Sequence, residues 1–278
     1  LATRRRLTRM ESTSGQKVLY FVDVFANYHD TALAEATVDV LQHNGVSVFV
    51  HPRQLQSAMA MVSLGAVEEA KRFAQHNIEI LAESIRQGYH IVTSEPAAAT
   101  CLIHEYPNLL DDEDSRLVAD NTSEICTYLW RMHQAGSMRL DLRPLNVKLA
   151  YHQPCHIRSL QVGSPGENLL KLIPGISVSY LDKGCSGMAG TYGLKRQNYR
   201  SSLRAGFDLI TGVRQPQFQA GTTECSSCRM QMEQGTTKPT IHPIKILAMA
   251  YGLTSAAQDP FTARGRELVM SSIDERAS

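Results

Sequence analysis

Four cysteines in the second half of the chain carry the strongest chemical signal. Cys225 and Cys228 form a Cys-x-x-Cys, and Cys155 and Cys185 precede them by steps of 30 and 40 residues. Four thiolates converging in a closed shell suit a tetrahedral zinc or an iron–sulfur cluster, since both take soft anionic sulfur. Disulfide exchange needs only the Cys225–Cys228 pair and stands as a third chemistry. Gly184, Gly187, Gly190 and Gly193 surround Cys185, where backbone without a Cβ can approach an inorganic group. Cys101 and Cys126 stand alone in helical stretches of the first half and read as packing residues. His152 and His156 flank Cys155, as supporting donors or as ordinary loop residues. Arg158, Lys183, Lys195 and Arg229 lie near the cysteines in sequence; cations beside an anionic cluster would raise its potential, and Lys183→Ala is expected to lower it.

The elements that must position these residues alternate. Apolar runs at Val18–Phe25, Val46–Val50 and Tyr89–Thr93 read as buried strands. Between them, Leu33, Ala36, Thr37, Val40 and Leu41, then Val67 to Ile85, fall at helical spacing, stopped by Gly45 and Gly88. The second half repeats the order, with strands at Val147–Tyr151, Ile176–Leu181 and Gln217–Thr222 and helices at Glu167–Leu172 and Asn198–Thr211. This is α/β organisation in two pseudo-repeated lobes, each a small parallel sheet flanked by helices.

The repeat holds register. Gly45-Val46-Ser47-Val48 matches Gly175-Ile176-Ser177-Val178 at an offset of 130, while Ser57-Ala58-Met59 matches Ser186-Gly187-Met188 and Ser94-Glu95 matches Thr223-Glu224 at 129. The reading is a linker or disordered stretch over 1–16, a first lobe over 17–138 and a second lobe over 139–278. Each cysteine of the four then follows a strand end, where open parallel sheets gather their loops. The offsets put Phe25, Gln56, Pro96 and Ala99 at the corresponding places of the first lobe, and none supplies a thiolate. One centre is expected, not two.

Composition limits the alternatives. With 28 basic against 27 acidic residues the chain lacks the positive excess of a nucleic-acid binder. No apolar run is long enough for a transmembrane helix, and no signal-peptide pattern opens the chain, so the cytoplasm is the expected compartment. The basic start, Leu1 to Met10, reads as the tail of a linker in a longer polypeptide.

Tyr151-His152-Gln153-Pro154-Cys155-His156, Gly184-Cys185-Ser186-Gly187-Met188-Ala189-Gly190-Thr191-Tyr192-Gly193 and Glu224-Cys225-Ser226-Ser227-Cys228 resemble the cysteine-rich CCG domain. That family includes the B subunit of heterodisulfide reductase, the glycolate oxidase iron–sulfur subunit and the C subunit of anaerobic glycerol-3-phosphate dehydrogenase; the last is the nearest in pattern, and His242-Pro243-Ile244 also fits it. The resemblance extends over nearly the whole chain, as two CCG domains in tandem. It implies one 4Fe–4S cluster on Cys155, Cys185, Cys225 and Cys228, with zinc as the alternative. It further implies a non-catalytic electron-transfer part of an FAD-linked dehydrogenase acting on glycerol 3-phosphate, D-lactate, glycolate or a similar 2-hydroxy acid. Implied partners are the FAD-containing dehydrogenase, a ferredoxin-like domain and a membrane quinone, which would bring the protein to the inner membrane face. The family signature has two adjacent cysteines before a glycine; here Cys185 stands between Gly184 and Ser186, so an ordinary cubane fits better than a five-thiolate cluster. A zinc-stabilised docking scaffold and a thiol–disulfide protein remain the other two readings.

Overall fold

The computed structural model describes residues 15–254 and Phe261. The expected linker over 1–16 lies outside the described residues except for Gly15 and Gln16, as does the end of the second lobe beyond Thr254 apart from Phe261.

In β1 (Lys17–Tyr20), Val18, Leu19 and Tyr20 are all buried, because a strand covered on both faces needs apolar residues throughout. The strand stops before Phe25: Asp23 accepts hydrogen bonds from the backbone N–H groups of Phe25 and Ala26 and starts α1 (Val24–Tyr28). α2 (Thr31–His43) follows, and Gly45, at a φ of 79°, turns the chain into β2 (Ser47–Phe49). α3 (Met59–Ser63) and the long α4 (Val67–Arg86) lead to β3 (Tyr89–Thr93). Then come α5 (Pro96–Thr100), a π-helical turn at Cys101–Glu105, α6 (Tyr106–Leu110), α7 (Glu113–Asp120), β4 (Thr122–Glu124) and α8 (Ile125–Gln134).

The second lobe runs β5 (Lys148–Tyr151), α9 (Cys155–Ser159), α10 (Pro165–Leu170), β6 (Ser177–Tyr180), α11 (Tyr199–Ala205) and α12 (Phe207–Arg214). It continues with β7 (Ala220–Thr222), α13 (Ser226–Gln234), β8 (Thr240–Ile241) and α14 (Pro243–Ala250). The helix expected over Asn198–Thr211 is two helices, broken at Gly206, where a Cβ would overlap the Ser186 carbonyl.

Both sheets are wholly parallel, ordered β2-β1-β3-β4 and β6-β5-β7-β8, so the duplication is complete in topology. The Phe21 N–H bond to the Val92 carbonyl (2.8 Å) has its twin in His152 N–H to Thr222 (3.0 Å). Each sheet gains a fourth strand that the apolar pattern does not announce.

The lobes share one core. α2 packs on α14 and α8 on α10, which brings Leu33, Val40, Leu41 and Leu129 together with Leu169, Ile244 and Leu247. Burial of each such side chain is worth about 2 kcal/mol. The outer face of the first sheet has its own core around Ile78, Leu81, Leu102 and Tyr106, whereas that of the second is small, around Leu209, Val213, Phe218 and Met232. Ionic contacts cross the junction too: Asp30 of the first lobe pairs with Arg229 and, at 3.1 Å, with Lys245.

Candidate functional site

Each cysteine of the four sits where a strand releases the chain. Cys155 opens α9 after β5, Cys185 lies in the loop after β6, Cys225 caps α13 after β7, and Cys228 is in the first turn of that helix. The Cys185 loop depends on Gly187, whose φ of 87° and close packing against the Ser202 carbonyl leave no room for a Cβ. The turn brings the Gly187 N–H to the Cys185 sulfur at 3.3 Å, and the Ser186 hydroxyl donates to the Cys228 sulfur at 3.2 Å. All four cysteines line a single cavity of about 560 Å3. Cys155 and Cys185 are exposed and mark its mouth, while Cys225 and Cys228 are buried at its floor.

Sulfur crowds this cavity. Burial, then the neighbouring Cys225 and Cys185, push the Cys155 thiol up. Hydrogen bonding with Cys228, then burial, push Cys225 well up. Cys155 and Cys225 are thereby biased toward the protonated thiol, and a bound metal would displace those protons. Among the described residues, no three His, Cys, Asp or Glu side chains converge closely enough for one metal ion. Tetrahedral zinc draws its four sulfurs onto one atom, whereas a cluster binds each through a different iron and keeps them apart. Four thiols spread around a cavity of this size fit the cluster better.

The opposite wall comes from the first lobe. Strand pairing sets the offset at 131 for β1 and β5 and at 130 for β3 and β7. The positions equivalent to Cys155, Cys225 and Cys228 are therefore Val24, Glu95 and Ala98, one residue before the expected Phe25, Pro96 and Ala99. Helix starts agree, since Val24 and Cys155 both open helices and Glu95 and Cys225 both cap them. Gln56 keeps its match to Cys185, two residues before the left-handed pair Ala58 and Gly187. All four of these thiol-free residues line the same cavity. Glu95 is the unexpected one. Burial, reinforced by Cys225 and Asp23, pushes its carboxyl well above the usual range.

The other residues singled out by sequence separate in the structure. His156 lines the cavity, its Nδ1 4.0 Å from the Cys155 sulfur, whereas His152 is buried away from it and pushed down to about 4 by burial and then Arg158. Of the four cations only Lys195 reaches the wall, and Arg229 is engaged by Asp30. Met59 and Met188 also line the cavity, beside Tyr192. Cys101 and Cys126 are buried and do not line the cavity; Cys101 donates to the carbonyl of Ser57, a residue of its wall. His242 is a fold residue: its Nδ1 accepts from the Ile244 N–H, so its Nε2–H donates to the Ser94 carbonyl across the lobes at 3.1 Å.

A second buried acidic group lies behind the site. Tyr151 donates to Glu224 at 2.8 Å, and Glu124, from the end of β4, faces the same carboxyl. Burial pushes Glu124 up to about 7, and burial followed by Glu124 pushes Glu224 up to about 8. Among the described residues, no helix is long and apolar enough to cross a membrane.

Comparison with known proteins finds relatives over most of the chain. The chain is 29% identical over 247 residues to the C subunit of anaerobic glycerol-3-phosphate dehydrogenase from Escherichia coli (strain K12), covering 88% of this chain and 62% of that protein. It is 28% identical over 214 residues to lactate utilization protein A of Bacillus cytotoxicus, covering 71% of this chain and 86% of that protein. The chain thus spans less than two thirds of the length of the dehydrogenase relative. The family model for the cysteine-rich domain, CCG, matches residues 149–233, a span that holds all four cysteines of the cavity. The second lobe thus matches the cysteine-rich CCG domain, and most of the chain is similar in sequence to these two relatives.

Proposed function

We propose that this chain is the electron-transfer module of a flavin-linked dehydrogenase, with one 4Fe–4S cluster held by Cys155, Cys185, Cys225 and Cys228. The observation that carries the reading is four thiols from three strand-end loops on one cavity, spread too widely for a single ion. When bound, such a cluster supplies reversible one-electron transfer at a potential set by its surroundings. The chain's own residues do the rest. Ser186 donates to the Cys228 sulfur, Lys195 brings positive charge to the wall, and Met59, Met188 and Tyr192 keep part of the cavity apolar. The exposed mouth at Cys155 and Cys185 is the side from which a partner's redox centre approaches.

The partner is an FAD-containing dehydrogenase for glycerol 3-phosphate, lactate, glycolate or another 2-hydroxy acid, by likeness to the glycerol-3-phosphate dehydrogenase relative and lactate utilization protein A. Electrons then pass toward a membrane quinone, with a ferredoxin-like domain as a further carrier and the module docked at the inner membrane face. No residue here is assigned a catalytic role. An anaerobic redox titration followed by electron paramagnetic resonance tests the reading: a signal that appears on one-electron reduction and disappears on reoxidation is expected. Protein that shows no redox-active signal after iron and sulfide reconstitution contradicts it.

A further inference from the structure

We propose that Glu95 is a positioning residue: from the thiol-free lobe it holds the start of the Cys-x-x-Cys helix and thereby sets Cys225 and Cys228 at the cavity. The inference rests on the cluster reading above and goes beyond it, by giving the first lobe a part in the site.

Glu95 caps α5, yet its side chain makes no bond to that helix; only its backbone carbonyl does, accepting from the Ala98 and Ala99 N–H groups. The carboxylate crosses to the other lobe instead. Its Oε2 accepts from the backbone N–H of Ser226 at 3.0 Å, between residues 131 apart in sequence. Ser226 is the first residue of α13, and Cys225, the cap of that helix, makes no side-chain bond to it. The first N–H groups of a helix have no partner within the helix, so an oxygen from outside fixes where the helix begins. Here that oxygen comes from the lobe without cysteines.

Two further observations support the assignment. Glu95 is 3% exposed, and its Oε1 is buried without any partner at the cavity wall. Besides the Ser226 bond, the Glu95 carboxyl lies within hydrogen-bonding range of the Cys225 side chain, so from the first lobe it touches both the cap and the first residue of this helix. The same helix is held again from the first lobe one residue past Cys228, by Asp30 on Arg229. Two anchors from the first lobe therefore bracket Ser226 to Arg229 and leave Cys228 no freedom to swing from the cavity.

The test compares Glu95→Ala, Glu95→Gln and a control, Leu81→Ala, which weakens the first lobe's own core away from the site. Two readouts are taken: retention of iron against a chelator, and hydrogen–deuterium exchange at the Ser226 amide in the metal-free chain. Glu95→Ala is expected to weaken iron retention roughly tenfold, the scale of losing a residue that orients a metal ligand, and to speed exchange at Ser226. Glu95→Gln keeps an oxygen for the Ser226 N–H and is expected to behave as wild type in both. Leu81→Ala should lower the melting temperature while keeping the iron. If Glu95→Ala does not fold, Glu95→Asp, one methylene shorter, takes its place. Unchanged Ser226 exchange, or iron loss that follows melting temperature alike in the Glu95 and Leu81 variants, overturns the inference. Wild type that binds no iron overturns the cluster reading instead, and the exchange data still decide whether Glu95 holds the helix.

Discussion

The two lobes are the same machine with and without its sulfur. Both sheets have one strand order, both place short helices after their first and third strands, and both send their strand-end loops to a common cavity. At the four equivalent places one lobe has cysteine and the other Val24, Gln56, Glu95 and Ala98. On the proposed reading the scaffold sets where a ligand would be held, and four side chains set which chemistry would be held there. The second contrast is in support. The first lobe has a substantial outer core, while the outer face of the second is covered sparsely and its edge strand β6 is largely exposed. The lobe with the site leans on the lobe without it.

The sharpest way to break this comparison is to exchange the chemistry at equivalent places. Cys225→Ser should abolish the paramagnetic signal of the reduced protein, since one lost thiolate opens the shell, whereas Gln56→Ala should leave it nearly intact. Equal losses would mean that the thiol-free wall is itself a ligand set. Next in size is the shared core: Leu129→Ala should cost about 3 kcal/mol, read by denaturant unfolding. Both lobes should still unfold in one transition; two separated transitions would contradict the common core.

Asp30→Ala should cost about 3 kcal/mol, because it strands Arg229 and Lys245 in a junction where they are largely covered. Burial alone would raise the Asp30 carboxyl, but Arg229 and Lys245 hold it below the usual range. Its contribution is therefore present at neutral pH and lost as pH falls through that depressed value. Glu124 has the opposite sign. Its carboxyl, near 4.5 when unfolded, is pushed up to about 7 by burial, so the folded protein holds the proton more tightly. Stability from this group is full below about 4.5 and lost as pH rises through about 7. Glu124→Gln should be more stable than wild type at pH 8 by about 3 kcal/mol, with the difference falling to about 1 kcal/mol at pH 5 and vanishing below about pH 4. A constant difference across that range would contradict the buried-acid account. The smallest effect belongs to the cations. Lys195→Ala should lower the midpoint potential, while Lys183→Ala, a residue off the cavity wall, should leave it unchanged, and the reverse order would show that sequence distance counts for more than the wall.

Much of this was legible in the residues alone. Val18–Tyr20, Tyr89–Thr93 and their counterparts announced themselves as strands because buried parallel strands must be apolar. Thr122–Glu124 and Thr240–Ile241 did not: they are two or three residues long, mostly polar, and buried by neighbours that sequence does not display. That the four cysteines share one cavity was legible from their strand-end spacing. The cross-lobe role of Glu95 was hidden by a resemblance between Ser94-Glu95 and Thr223-Glu224. Those pairs look equivalent, yet the strand register places Glu95 opposite Cys225, one residue along. Loops of unequal length let the offset drift through 131, 130 and 129, and only hydrogen bonding fixes it locally.

Metal and acid-labile sulfide analysis of the chain purified without oxygen tests the central claim most directly. About four iron and four sulfide per chain are expected. One zinc with no sulfide, or no metal and a freely titratable dithiol at Cys225 and Cys228, would contradict it.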